Sequence, residues 1–204
     1  GILEYRFNAW RVQPIAGVNL PEVVTTTNPR TTIAVKQTKH IRAAAFNVLN
    51  YDNGKNGFPT ERGANSQAEF DKQHAKIISA LKSIDADVYG LMEIANNGYG
   101  SDSTVAYLTK ALGQDWKYVI PEDLNQLGTD VIAVAIIYNS KRVQPVNKAA
   151  VLDLGEKNRS TIAQSFKPVH GGQIFTVIPN HLKSKSCSGV DLNSLDADQK
   201  DGQG

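Results

Sequence analysis

The sequence has little cysteine, little net charge and no long apolar run, and each shortage excludes a class of protein. Its one cysteine, Cys187, excludes a disulfide-stapled scaffold. The formal net charge of +2 is close to neutral, so a polyanionic partner must be met by a local basic patch rather than by an overall field. No apolar run approaches the roughly 20 residues that cross a bilayer, so we expect no membrane partner.

The two ends of the chain carry further expectations. The chain begins with Gly1, without a charged segment followed by an apolar one, so we expect any signal peptide to lie upstream. The polar stretch from Asp198 to Gly204 stops without a terminal element, so we expect a truncated chain. Cys187 lies in a loop rich in Lys, Ser and Gly. Three roles remain open for Cys187: a free thiol, an incidental residue, or the disulfide partner of a cysteine later in the chain. The expected truncation favours the disulfide partner.

The chain divides into a short first part and a main domain. Its 204 residues can bury a full core, and 41% apolar with 21% charged residues is an ordinary globular balance. Residues 2–13 are aromatic and β-branched around Asn8, which is typical of a β-hairpin. Residues 20–39 are rich in Thr and Pro and predict an extended linker. We therefore expect 1–37 to be the tail of an upstream β domain with its linker, and 38–204 to be the main domain.

The pattern from Ile41 onward predicts two helices and seven strands. Ser66 to Glu69 matches a capping box followed by apolar residues at helical spacing, and a second helix covers Val105 to Leu112. Strands are predicted at 41–49, buried on both faces, and at 87–94, 116–120, 131–138, 143–151, 162–166 and 174–179. Helices early and strands later predict an α+β sandwich rather than a regular βαβ alternation.

Polar side chains stand at the ends of three of these apolar strands. Asn47 ends the first, Glu93 ends the second, and the pair Asn180-His181 follows the last. Each of them alone is explained as a cap or a solvated strand end. Together, however, these positions bring a carboxylate, an amide and an imidazole to the ends of strands. This combination favours a catalytic site, because rigid strands hold side chains with the accuracy that catalysis needs.

Three segments around these residues resemble a known superfamily. Ala45 to Asn50, Asp87 to Ile94 and Asn180 to Lys185 are similar to the first, second and middle motifs of the endonuclease/exonuclease/phosphatase superfamily. That resemblance covers roughly residues 38–204 and is specific as a set of motifs. It implies the deoxyribonuclease-I-like fold, an α/β/β/α sandwich of two sheets, of which this chain would be the N-terminal part.

A narrower resemblance is to the large extracellular nucleases of Gram-negative bacteria. The segments that carry it are Arg62 to Ser66 with Glu69 and Phe70, Leu91 to Ile94, and Gly128 to Asp130. Such nucleases have an oligonucleotide-binding-like β domain upstream, and residues 1–14 resemble its closing strands. The resemblance therefore implies a secreted enzyme that hydrolyses phosphodiester bonds of extracellular DNA, with RNA as a further substrate left open.

The resemblance also assigns catalytic roles to residues of this chain. Glu93 would be the main ligand of Mg²⁺ or Mn²⁺, because a hard cation prefers carboxylate oxygen. Asn47 would complete the metal shell through its amide oxygen or a bridging water. His181 would donate a hydrogen bond or a proton at the scissile phosphate. A structural Ca²⁺ elsewhere in the domain stays open.

Further residues would contact the substrate phosphate. Arg159 matches a family arginine with that role, and Asn180, Lys183 and Lys185 share the loop of His181. The alternative for Arg159 and the two lysines is ordinary solvated surface. Asp130 would be a metal or substrate contact, or simply part of the turn that Gly128 begins.

Two departures from the family pattern matter. The family has an acidic residue two places after the motif glutamate, where this chain has Ala95. The later motifs, an Asp-x-Asn that directly follows a buried strand and a terminal Asp-His that supplies the base, have no candidate in residues 182–204. We therefore expect a C-terminal fragment or continuation of the same protein to supply them. Two alternatives to a nuclease remain: a phosphomonoesterase or sphingomyelinase-like hydrolase of this fold, and a non-catalytic nucleic-acid-binding module.

Overall fold

The computed structural model describes residues 2–6, 8–13, 15, 36, 40–153 and 159–182. The chain forms two compact units, Gly1–Val35 and Lys36–Gly204. No helix in the described part is both long and apolar enough to span a membrane.

The first unit contains the hairpin that the sequence predicts. Strands β1 (Ile2–Arg6) and β2 (Ala9–Gln13) pair antiparallel, with Tyr5 opposite Trp10. Asn8 in the turn has φ of 60°, a left-handed conformation that asparagine tolerates better than most residues. The rings of Tyr5 and Trp10 lie 5.3 Å apart, and both side chains are exposed.

The second unit contains both predicted helices and all seven predicted strands. Their bounds are β3 (Ala43–Tyr51), α1 (Gln67–Ile84), β4 (Val88–Ala95), α2 (Thr104–Leu112), β5 (Trp116–Tyr118), β6 (Ile132–Asn139), β7 (Val143–Leu152), β8 (Thr161–Pro168) and β9 (Phe175–Val177). Ser66 caps α1 by accepting from the Glu69 N–H, as predicted. The Glu69 carboxylate binds the N–H of Asn65 rather than that of Ser66, so the capping box is shifted by one residue.

The strands form two sheets. The first has the order β3-β4-β6-β5, with β3 parallel to β4 and the other pairs antiparallel. The parallel pair is joined through α1, so this is one βαβ unit in a fold that is otherwise not of that type. The second sheet is antiparallel with the order β7-β8-β9.

Two apolar clusters hold these elements in layers. One lies between the helices and the first sheet and includes Phe70, Leu81, Leu91 and Leu108. The other joins the two sheets, with members on β4, β6, β7 and β8. The described residues therefore form a helix layer on two stacked sheets, and the prediction of an α+β fold built from two sheets is confirmed.

The prediction for the first strand was wrong in detail. β3 is covered on the face that packs against the helices but not on its other face. Its helix-facing side chains, such as Val48, are buried, but Ala43, Ala45 and Leu49 on the other face are exposed. Among the described residues, β9 pairs with β8 alone. Periodicity reports which faces are apolar, whereas the neighbours of a strand depend on the whole topology.

Candidate active site

Glu93 lies near the end of β4, where the sheet becomes irregular. The pairing register of β4 shifts against both β3 and β6 around this residue. Glu93 has φ of 63°, a left-handed conformation that costs a non-glycine residue about 1–2 kcal/mol. Its side chain is 18% exposed. Local strain of this kind persists only where surrounding contacts impose it, and such residues cluster at functional sites.

Strand β3 supplies two hydrogen bonds to the Glu93 carboxylate, one from its middle and one from near its end. Asn47 Nδ2 donates to Glu93 Oε1 at 2.8 Å, and the backbone N–H of Asn50 donates to Oε2 at 3.2 Å. Asn47 Oδ1 accepts from the N–H of Leu49 at 2.8 Å, which fixes the orientation of the amide. Because Asn47 is in register with Met92, the parallel pairing of β3 and β4 brings these groups together.

His181 reaches the same carboxylate from the second sheet. Its Nε2 lies 3.4 Å from Glu93 Oε1, and its side chain is 17% exposed. Its Nδ1 is buried and has no hydrogen-bond partner among the described residues. Burial lowers the pKa of His181, and the positive charge of Arg159 lowers it further, while Glu93 and Asp130 oppose the shift. The neutral imidazole is therefore favoured.

Close packing of Pro179 on β4 positions His181. Thr161 Oγ1 donates to the Pro179 carbonyl at 2.6 Å inside the core. A Cβ placed on Gly90 would lie 3.0 Å from the Pro179 Cβ, tighter than side chains ordinarily pack. The absence of a side chain at Gly90 thus allows the segment after β9 to lie against β4 beside Glu93.

Asp130 binds two arginines. Its Oδ1 lies 3.1 Å from Arg62 Nη1, and its Oδ2 accepts from Arg159 Nε at 3.1 Å. The loop that carries Asp130 is held by Asn96, whose Nδ2 donates to the carbonyls of Leu127 and Asp130, both at 2.9 Å. Arg159 and Asp130 are close enough to His181 to shift its pKa, so this ion-pair cluster borders the Glu93 site.

The donor set around Glu93 fits a hydrated Mg²⁺ better than an enclosed ion. The described residues contain no group of three or more His, Cys, Asp or Glu side chains able to hold a metal. They do provide one partly exposed carboxylate, and Mg²⁺ is commonly held by one or two carboxylates, several waters and the substrate phosphate. Asn47 Oδ1 is already engaged, so a bridging water suits its role better. Asp130 is a weaker candidate ligand, because a cation would compete with two guanidinium groups.

The other predicted contacts divide into two groups. Arg159 lies beside the site, where its Nε donates to Asp130, whereas the Nδ2 of the exposed Asn180 donates to the Ile178 carbonyl at 3.0 Å. Lys183 and Lys185 lie outside the described residues, as does Cys187. Asn180, Lys183 and Lys185 as phosphate contacts therefore stay predictions.

Sequence reasoning missed Arg62 and Asn96 as site residues. Arg62 was noted only as part of a motif, and its partner Asp130 is distant in sequence. Beyond these residues lies an open polar cleft of about 670 Å³ between three loops, whose lining includes Asp52, Asn56, Glu61, Tyr99 and Asn125. Burial raises the pKa of Tyr99 to about 12, so its hydroxyl stays protonated. Clusters of Gly, Asn and Asp in these loops were the available sequence signal.

Comparison with known proteins gives a distant similarity in shape. No protein-family model and no curated protein matches the chain. The chain is similar to the human Nocturnin catalytic domain with bound sulfate anion, with 18% identity and a TM-score of 0.44 over 69% of this chain and 48% of that one. It is also similar to a functionally unknown conserved protein from Enterococcus faecalis V583, with 16% identity and a TM-score of 0.45 over 71% and 54%. The chain spans about half the length of these structures.

Proposed function

We propose that this chain belongs to a metal-dependent phosphodiesterase of the endonuclease/exonuclease/phosphatase superfamily, a secreted nuclease that hydrolyses DNA. One observation carries the proposal. Asn47 lies within β3, Glu93 lies within β4 and His181 follows β9, yet the amide and the imidazole meet on the Glu93 carboxylate. The sequence motifs at these three positions resemble those of the superfamily.

Each side chain of the site would have a separate role in the reaction. Glu93, with Asn47 beside it, would hold Mg²⁺ or Mn²⁺, which when bound supplies charge stabilisation at the phosphoryl oxygen. His181 keeps a neutral imidazole whose Nε2 faces the site, and it would donate a hydrogen bond as negative charge develops on the phosphate. Arg159 would bind a non-bridging phosphate oxygen with the donors that Asp130 leaves unused.

The Glu93 carboxylate favours an enzyme over a simple binding module. A carboxylate repels a phosphate, so a site built only for binding nucleic acid gains nothing from burying one beside it. The same carboxylate becomes useful when a divalent cation lies between it and the phosphate. The strained backbone at Glu93 supports a requirement for this residue at this place.

The test is a plasmid-nicking assay on the native protein, purified with any polypeptide that remains bound to the chain. Nicking that needs Mg²⁺ or Mn²⁺, stops with a chelator and is lost in Glu93→Gln supports the proposal. A mobility shift of DNA without any cleavage contradicts it. Parallel assays on RNA and on a phosphomonoester separate the substrate classes within the superfamily.

The first unit favours a second candidate, a nucleic-acid-binding module. Tyr5 and Trp10 form an exposed aromatic pair across the β1-β2 hairpin, and bases can stack on such side chains. Under this alternative, Trp10→Ala abolishes DNA binding while Glu93→Gln leaves it intact and no strand is cut. Under the nuclease proposal, Trp10→Ala reduces binding at most and cleavage remains.

We also propose that full activity needs residues from a C-terminal fragment or continuation. The resemblance assigns the base for the attacking water to an Asp-His motif that this sequence does not contain. Mass spectrometry of the active protein under denaturing conditions is the test. An active preparation that contains only the 204-residue species contradicts this part of the proposal.

A further inference from the structure

We propose that Arg62 is a second phosphate-binding residue of the candidate site and acts beside Arg159 on a phosphodiester group of the substrate. The inference rests on the proposed function and adds a residue to it. Its basis is the geometry of the Arg62-Asp130-Arg159 cluster and the way in which the Arg62 loop packs against the Glu93 site.

The charges of this cluster do not balance. Two guanidinium groups share the single carboxylate of Asp130, each through one nitrogen. No other anionic partner of Arg62 or Arg159 is found in the described parts of the chain. One positive charge and several N–H donors remain. A phosphodiester carries one negative charge, and its two non-bridging oxygens match the planar donor set of arginine.

Contacts through Asn50 place Arg62 on the rim of the Glu93 site. Asn50 donates its N–H to Glu93 Oε2, and its carbonyl lies only 2.5 Å from where a Cβ on Gly63 would be. The loop can approach Asn50 this closely because Gly63 has no side chain. Arg62 and Asn50 also line one small shared cavity. Asp130 joins Arg62 to Arg159, and Arg159 lies close enough to His181 to lower its pKa, so Arg62 belongs to the group of side chains that borders the Glu93 site.

A purely structural role explains Arg62 poorly. Its side chain is 44% exposed, and an ion pair with that much solvent contact contributes at most about 1 kcal/mol. The loop has its own hydrogen bonds, from Thr60 N–H to the Ala64 carbonyl at 2.9 Å and from Gly63 N–H to Thr60 Oγ1 at 3.0 Å. The loop therefore keeps its shape without the arginine, while Asp130 holds the guanidinium in place for a ligand.

The experiment measures DNA binding as a function of salt, with a chelator present so that no strand is cut. The probe is a short fluorescein-labelled single-stranded oligonucleotide, and the readout is fluorescence anisotropy. Three variants are compared with the unaltered protein. Arg62→Gln removes the charge but can still donate a hydrogen bond to Asp130, and Arg62→Lys keeps the charge but loses the planar set of N–H donors. Lys141→Ala is the control, because it removes one exposed positive charge at the opposite end of β6 from Asp130.

We expect Arg62→Gln to weaken binding roughly tenfold at low salt and to reduce the slope of log Kd against log salt by about 0.7, the value for one phosphate contact on a single strand. Arg62→Lys should restore the slope but not the full affinity. Lys141→Ala should change neither. Thermal melts establish that each variant is folded, and Arg62→Lys provides the test if Arg62→Gln unfolds.

Two results would overturn the inference. One is an unchanged slope and an unchanged affinity in Arg62→Gln, or an unchanged affinity in Arg62→Lys where only that variant folds, and the other is an equal loss in Lys141→Ala. If cleavage that depends on Glu93 is present while Arg62 contributes nothing, the proposed function stands and the role of Arg62 fails. If Arg62 carries its share of the salt slope but no cleavage occurs, the phosphate contact stands and the nuclease fails.

Discussion

Replacing Glu93 by Gln is the sharpest perturbation of the candidate site, because it removes one charge while keeping the volume. The carboxylate accepts from Asn47 Nδ2 at 2.8 Å and from the Asn50 N–H at 3.2 Å, on different oxygens. In the Glu93→Gln variant one of these oxygens becomes an NH₂ group that faces a donor. One hydrogen bond is therefore lost, and a donor is left without an acceptor in a site that is less than one-fifth exposed.

This geometry predicts a modest loss of stability and a large loss of activity. An unsatisfied donor costs about 1–3 kcal/mol, less here because the site is partly open to water. Turnover depends on holding a divalent cation, and an amide binds such a cation far more weakly than a carboxylate does. We expect activity to fall well below a tenth of the unaltered protein, which is a loss in excess of about 1.4 kcal/mol.

The assay measures turnover on DNA at saturating Mg²⁺, together with Mn²⁺ binding by calorimetry and a thermal melt. The matched control is Glu122→Gln, the same chemical change in an exposed ion pair with Lys148. The control should keep activity and metal binding. A folded Glu93→Gln protein that retains more than about a tenth of the turnover would refute the assignment of Glu93 as metal ligand.

Three further outcomes are expected. His181→Ala should lower turnover by a factor of about 10² to 10⁴ with a smaller change in substrate affinity, and a loss confined to binding would make His181 a phosphate anchor instead. Gly90→Ala places a Cβ 3.0 Å from Pro179, so the free energy of unfolding should fall by about 1–3 kcal/mol and turnover should fall with it. An unchanged melting temperature together with unchanged turnover would contradict close packing of Pro179 on β4. Burial lowers the pKa of His74 below its ordinary 6.5, so the folded state disfavours the protonated ring. The free energy of unfolding should therefore keep its full value above pH 6.5 and decrease as the pH falls below 6.5. The decline should be shallower in His74→Gln, and urea titrations at several pH values would show it; an equally steep decline in both proteins would exclude His74 as the cause.

Some predicted features depend only on residues that are close together in the sequence, and others depend on tertiary contacts. Ser66 and the apolar spacing behind it predict α1 because capping and helix amphipathicity act within a few residues. The apolar runs before Asn47 and Glu93 predicted two strands, but these residues lie inside β3 and β4 rather than at their ends. Asn180 could not be separated from His181 by sequence, because the two are adjacent and only the structure shows that His181 contacts Glu93 while Asn180 donates to the Ile178 carbonyl.

The sequence by itself determined the helices, the strands, the α+β class and the placement of Asn47, Glu93 and His181 in or after three different strands. These follow from periodicity, capping and turn residues, which depend on near neighbours along the chain. The tertiary structure alone decided that β3 lies at the edge of the sheet formed by the described strands, that Asp130 joins Arg62 to Arg159, and that Gly63 packs against Asn50. Those contacts join residues far apart in sequence, and their partners are chosen by sheet order and loop packing, which no local pattern encodes.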